Sequence, residues 1–447
     1  MKYNKIIAST SFALLSVFFV VGQENTNKVW TLKECVDYAV ENNISVKQSV
    51  LDKNLAEQDV KAAKWNFAPN LNASASHNYD FGSSISAIGA RTSADFRSNR
   101  FGINSSVNLF NGFTNVSTLK QSKINVASQE AALAKMQNDI SLNVVNGYLQ
   151  LLFAKEQVKI AEFQIGVGQE QVDRLQQLVD AGSIPEGDLL NAKSNLANDQ
   201  NNLISAQNAQ IMATLRLAQL LQLPESTIEI KDLAVDVQES NVLVTDVKEI
   251  YNKANESFPE IKVAELNMES AEQSIKISKS NYYPSLTLSM GMNTIYQHLQ
   301  GYPDFISFSD QLDRNLGKSV GLSLNVPLFN RNQFRTNVSK SKINYQRTEY
   351  LLEAEKLRLK ETIQNAYTDA QAAFKAYDAA QISVAAQEKA FNYAGERFKV
   401  GAINSFDFNQ AKNNLLNAQS QLIRAKYDYV FKLKIVEFYS GIPIVVE

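Results

Sequence analysis

The chain repeats itself, and that repetition limits what it can fold into more than any other feature. Ala56-Glu57-Gln58 returns 215 residues later (from 56 to 271) as Ala271-Glu272-Gln273. At the same spacing Glu34 meets Glu249, Ala39 meets Ala254, Lys64 meets Lys279 and Pro69 meets Pro284. Beyond Leu71 and Leu286 the spacing grows to 219 (from 102 to 321) and then holds. Leu109-Phe110-Asn111 matches Leu328-Phe329-Asn330, and Ser122-Lys123-Ile124-Asn125 matches Ser341-Lys342-Ile343-Asn344. Gly182 matches Gly401, Asp188 matches Asp407, and Pro224 matches Pro443. An ungapped register of that length predicts a tandem duplication. Two structural repeats, 23–224 and 246–447, are expected on either side of a linker at 225–245.

The first 22 residues read as an address. Lys2 and Lys5 precede an apolar run from Ile6 to Val21, and Gly22-Gln23 opens a polar stretch. Basic start, apolar middle and small residue at the cut form a secretory signal peptide over 1–22. A membrane anchor is the other reading, but a run of about 16 residues is short for a spanning helix. Cys35 is the single cysteine, so no intramolecular disulfide can form, and none lies near the cut to carry a lipid. It is expected to be a small packed residue.

Each repeat opens with helical sequence. Thr31 followed by Glu34 is a capping box, in which the hydroxyl and the carboxylate satisfy free backbone amides. The second helical stretch is expected to end at Pro69, and its counterpart at Pro284.

Alternation follows. Leu71, Ala73, Ala75, His77 and Tyr79 point one way, with Asn72, Ser74, Ser76 and Asn78 the other. Phe101, Ile103, Val107 and Leu109 alternate with Gly102, Asn104 and Asn108. Leu286, Leu288, Met290 and Met292 do the same in the second repeat, as do Val320, Leu322, Leu324 and Val326. A period of two means strands with one apolar face, expected near 70–81, 100–110, 285–296 and 319–328. A length of about ten residues crosses a bilayer when the strand is tilted. Phe67, Tyr79, Phe81, Phe110, Tyr282, Tyr283, Tyr296 and Phe329 gather at the strand ends, as in an interfacial girdle. The edge of a soluble sandwich could carry the same strands. If they are in membrane, four strands cannot close a barrel, since about eight are needed and open edges are not tolerated in lipid. Several copies must then share one barrel.

The 8 prolines avoid the stretches between Pro69 and Pro185 and between Pro327 and Pro443. From Thr114 to Val179 apolar residues recur at helical spacing, as in Leu142, Val145, Leu149 and Leu152. Such a helix would be on the order of 100 Å long. The returning helices are rich in neutral amides: Asn191, Asn195, Asn198, Asn201, Asn202, then Asn409, Gln410, Asn413, Asn414 and Asn417. These suit a wet channel wall, or equally a plain solvated coiled-coil face.

Both long helices break at matched points. Gly182 and Gly401 end the incoming helices, and Ser405 or a neighbour caps the second outgoing one. Asp188 and Asp407 fall in the first turn of the outgoing helices. There they either stabilise the helix dipole or form a ring of carboxylates at a pore mouth.

Several function classes are excluded. With 44 basic and 46 acidic residues the chain lacks the basic surface that nucleic acid requires. With His77, His298 and Cys35 alone, a His/Cys metal site has almost nothing to build from. No nucleophile–base set or phosphate loop is recognisable. Gly166-Val167-Gly168 lies inside a helical run, without the strand that a dinucleotide site needs. Neither enzyme activity nor a cofactor is expected.

The chain resembles the TolC-like outer-membrane efflux proteins over essentially its whole mature length. The resemblance rests on the opening from Leu32 to Asn43, the breaks at Pro69 and Pro284, Val326-Pro327-Leu328-Phe329, and Lys399-Val400-Gly401 followed by Asp407. It implies a mainly α fold with membrane β: a homotrimer with a 12-stranded shared barrel, four strands per chain, set in outer-membrane lipid. A long periplasmic α-helical barrel would continue it, with an equatorial belt from Glu225 to Lys253 and the chain end. It also implies an exit duct served by a periplasmic adaptor and an inner-membrane transporter. The turns with Gly182, Ser183, Val400, Gly401 and Ala402 would face the adaptor. Asp407 falls on the acidic aperture ring, while Gln410 replaces the next acid by an amide. Polar groups that tie the closed state in some members fall here on Phe398 and Ile403, so apolar packing would have to close this channel. A secreted coiled-coil scaffold or adhesive protein is the alternative, and it leaves the four strands unexplained.

Overall fold

The computed structural model describes residues 28–85, 91–93, 95–223, 228–232, 243, 245–299, 303 and 306–442. The expected signal peptide and most of the linker at 225–245 lie outside the described residues. In chain order the elements are β1 (Val29–Trp30), α1 (Leu32–Asn42), α2 (Ile44–Trp65), β2 (Asn72–Asp80), β3 (Ser83–Ile85), β4 (Arg91–Ser93) and β5 (Phe96–Asn111). Next come α3 (Thr114–Asp180), α4 (Glu186–Leu221), β6 (Glu229–Ile230), α5 (Val247–Ser257), α6 (Pro259–Ser280) and β7 (Ser285–Leu299). The chain continues with α7 (Phe308–Arg314), β8 (Gly317–Asn325), α8 (Gln333–Lys399) and α9 (Ser405–Tyr439). Helices at matched places in the two halves have matched lengths. α1 and α5 have 11 residues each, α2 and α6 have 22, and α3 and α8 have 67.

Residues next to Thr31 start the first helix as the sequence suggests. Its hydroxyl accepts from the Glu34 amide at 3.2 Å, and the Thr31 amide donates to the Glu34 carboxylate at 2.9 Å. α2 and α6 stop earlier than expected, at Trp65 and Ser280, with Asn66 and Asn281 as right-handed caps. Pro69 and Pro284 sit beyond them in the connecting turns. A proline disfavours helical geometry at the residue before it, so the helix ends upstream rather than at the ring.

β2, β5, β7 and β8 form one antiparallel sheet in that order. β5 and β7 run longer than the expected strands, at 16 and 15 residues, because each is paired on both sides. β8 ends at Asn325, short of the expected 328. Its proline, Pro327, has no N–H to continue a ladder. The register sets Ala73 opposite Ile103, Ile103 opposite Met292, Met290 opposite Val320 and Leu288 opposite Leu322. One face is therefore apolar. The other carries Ser74, Ser76, Asn104, Ser106, Asn293, Ser319 and Ser323. Val320 is 74% exposed, so this chain alone leaves the apolar face uncovered.

α7 was not legible in the sequence. It lies beside β7 beyond the point where β8 begins and caps its edge: the Gln297 amide donates to Gln311 Oε1 at 3.0 Å, and Asn315 Nδ2 donates to the Ile295 carbonyl at 2.7 Å. Tyr296 is buried under Phe308, ring centres 4.9 Å apart, and so departs from the expected exposed girdle. Phe81 and Phe329 are exposed as that girdle requires.

Two apolar cores lie mid-length. The first joins Leu32, Cys35 and Ala39 of α1 to Val144, Tyr148 and Leu152 of α3 and Leu217 of α4. The second joins Ile250 and Ala254 of α5 to Leu359 and Ile363 of α8 and Val436 of α9. A short parallel pair, β1 with β6, sits on the first core. Phe258 packs on Phe438 and Tyr439, each at 5.0 Å, which joins the end of α9 to the second core. The last five residues lie outside the described ones.

Candidate functional site

The tip is built by two matched helix terminations. Gly182 and Gly401 adopt φ of +68° and +75°, the left-handed region that glycine enters without a Cβ penalty. The Ser183 amide returns to the Leu178 carbonyl and the Ala402 amide to that of Arg397, each at 2.8 Å. Gly182 donates to Val179 and Gly401 to Phe398. These are the paired hydrogen bonds of a Schellman termination, present in both tip turns. Gly182, Ser183, Val400, Gly401 and Ala402 are all exposed, forming the outermost surface of the two turns.

The outgoing helices start differently. Asn404, rather than Ser405, caps α9: its side-chain oxygen accepts from the Asp407 amide at 2.9 Å. α4 has Pro185 at the same position and no side-chain cap. Asp188 and Asp407 occupy the third position of their helices. Asp407 is exposed and Asp188 half-buried. Gln410 is exposed one turn beyond Asp407 and donates to Asn414 Oδ1 at 3.0 Å. Asp407 and Gln410 thus lie on consecutive turns of one helix, while Asp188 is on the other hairpin.

Phe398 and Ile403 sit on either side of the second tip turn. Phe398 stacks on Phe408 with ring centres 4.8 Å apart and joins a cluster of Val172, Leu175 and Leu189 on the first hairpin. The Arg174 guanidinium lies over the Phe398 ring at 5.4 Å and donates to the Lys399 carbonyl. Ile403 is half-buried in its turn. An open groove of about 630 Å³ runs between α3 and α8 here, bordered by Phe163, Glu170, Arg174, Phe391 and Glu396.

Sequence reasoning missed one feature of this region. Lys412 on α9 meets Asp199 on α4 at 2.6 Å, with side chains only 5% and 9% exposed. Gly168 on α3 lies against the pair. The signal was present: Gly168 interrupts a helix without a turn, and Asp199 is an acid on a face of neutral amides.

Among the described residues, no group of three or more His, Cys, Asp or Glu side chains could hold a metal ion. None of the described helices is long and apolar enough to cross a membrane. A family model described as outer membrane efflux protein matches residues 35–222 and 250–434, one segment in each half. The chain belongs to the outer membrane efflux protein family. The outer membrane efflux protein BepC of Brucella suis biovar 1 is 21% identical over 418 residues, which is 93% of this chain and 86% of BepC. Outer membrane protein TolC of Escherichia coli K12 is 21% identical over 92% of this chain and 82% of its own. Among solved structures, the outer membrane protein VceC of Vibrio cholerae matches with a TM-score of 0.75 at 17% identity, over 93% of this chain and 97% of VceC. At that identity the likeness speaks for the fold. Membership of the family places this efflux protein in the outer membrane.

Proposed function

We propose that three copies of this chain form a passive exit duct of a tripartite export system, catalysing no reaction. The observation that carries it is the open four-stranded sheet. β2 and β8 have free edges, one face is apolar, and lipid tolerates neither open edges nor polar faces. Joining β8 of one copy to β2 of the next turns three sheets into a 12-stranded barrel, apolar outside and lined by Ser, Thr and Asn. The 67-residue helices, on the order of 100 Å long, carry the duct across the periplasm.

In this reading the exposed turns at Gly182–Ser183 and Val400–Ala402 meet a periplasmic adaptor, which couples the duct to an inner-membrane transporter. Asp407 forms the acidic ring of the aperture, Gln410 a neutral amide ring next to it, and Asp188 contributes a further carboxylate per subunit at the pore mouth. Phe398 and Ile403 govern closure by packing. The functional units are residues 23–224 and 246–447 with 225–245 between them, after removal of a signal peptide at 1–22. Light scattering of detergent-purified protein, followed by planar-bilayer recording, tests this. A trimer mass with discrete openings is expected. A monomer that never inserts would overturn the shared barrel.

A further inference from the structure

The Asp199–Lys412 pair is expensive to build, which makes its placement informative. Two charges removed from water are compensated only by close mutual contact, and losing one partner strands the other in a low-dielectric site. Here the carboxylate belongs to α4 of the first hairpin and the ammonium to α9 of the second, 2.6 Å apart. α3 stands between these helices, and Gly168 is the notch through which the two side chains meet. A Cβ there would fall 3.1 Å from Asp199 Oδ2, 3.2 Å from Leu196 Cδ1 and 3.7 Å from Lys412 Nζ.

The duplication does not supply this arrangement. The register partners of Gly168, Asp199 and Lys412 are Gln387, Ala418 and Lys193. Lys193 is exposed and donates to Gln176 on its own hairpin. The pair therefore distinguishes the two hairpins, and it ties the second to the first at one place. It lies about 10–20 Å along the helices from the tip turns. α9 is also the helix that carries Asp407 and Gln410.

We infer that Asp199 and Lys412, meeting through the Gly168 notch, are positioning residues for the aperture: they hold α9 in one fixed place against the first hairpin and so define a single pore width at the tip. Breaking a buried ion pair leaves two charges uncompensated in a low-dielectric site, so the made arrangement is sharply preferred over any other. Displacing α9 strands both charges, and intermediate positions are penalised. Phe398 and Arg174 add a second, more exposed contact between the hairpins, at α8 rather than α9. This inference rests on the duct reading above.

The test is single-channel recording of the full-length purified protein in planar bilayers, with thermal melting measured on the same preparations. Wild type is expected to dwell in one dominant conductance level. Lys412→Met strands Asp199, and the fraction of time spent outside that level should rise on the order of tenfold. Gly168→Ala should shift it the same way to a smaller extent. This variant adds helix propensity, so its effect cannot come from a weaker helix. The charge swap Asp199→Lys with Lys412→Asp should return the record toward wild type. Variants that keep the wild-type dwell pattern, whether or not their melting temperature falls, make the pair a mere brace and overturn the inference. So does a swap that behaves like Lys412→Met. A wild type that conducts without a dominant level overturns it while leaving the duct reading intact, and a wild type that never conducts overturns both.

Discussion

The Tyr148 hydroxyl donates to the Lys231 carbonyl at 2.6 Å, and its ring is fully buried in the first apolar core. Its register partner Tyr367 does the same in the second repeat, donating to the Leu243 carbonyl at 2.6 Å. Each long helix thus pins a residue of the stretch between the two halves through one hydroxyl. Burial pushes the Tyr148 phenol well above its ordinary range, so it remains a donor at any physiological pH. Tyr148→Phe leaves the Lys231 carbonyl short of a partner at a cost of about 1–2 kcal/mol. Hydrogen exchange of the amides at 230 and 231 should speed up about tenfold, at 1.4 kcal/mol per decade. Tyr367→Phe should leave those amides unchanged, because the two contacts lie in separate cores.

The tip turns depend on backbone conformation alone. Nothing lies within 4 Å of a Cβ built on Gly182 or Gly401, so substitution there brings strain without a clash. Gly401→Ala should cost about 1 kcal/mol, and Gly401→Asn less, since Asn tolerates the left-handed region. Limited proteolysis at the tip reads the difference: cleavage between Lys399 and Ser405 should be fastest in the Ala variant.

Asp407 is exposed at the start of α9. If three copies ring the aperture, Asp407→Asn should roughly halve the cation-to-anion permeability ratio at low salt. At about 1 M salt the screening length falls to about 3 Å, and the difference should disappear. Asp188→Asn should have the smaller effect, because that carboxylate is half-buried. Reversal potentials under a salt gradient measure both.

Cys35 is fully buried, and burial together with the charge of Glu34 pushes its thiol up to about 12. The thiolate is the reactive form. Native protein should therefore not react with a maleimide at pH 7, whereas protein unfolded in guanidinium should label fully. Rapid labelling of the folded protein would show that α1 detaches from the first core.

The gross architecture was legible because it is written in periods. A period of two over Leu286–Met292 and one near 3.6 over Leu142–Leu152 require only local geometry. The ends of the long helices were legible because Gly182 and Gly401 are the residues the left-handed turn demands. Features that depend on partners distant in sequence were not. α7 has seven residues, too few to show a period, and exists because the edge of β7 needs partners.

By itself, then, the sequence determined the matched order of elements in the two halves, the strands with one apolar face, the long helices and the turns between them. Each follows from chain-local sterics and from which side chains water rejects. Only the tertiary structure decided that Tyr296 is buried rather than part of a girdle, that Phe398 packs into the first hairpin, and that Asp199 reaches Lys412 past Gly168. Those outcomes turn on side chains far apart in the chain meeting in one place, 213 positions apart for Asp199 and Lys412. The energy of such a meeting comes from desolvation and close approach in three dimensions, which no periodicity along the chain encodes.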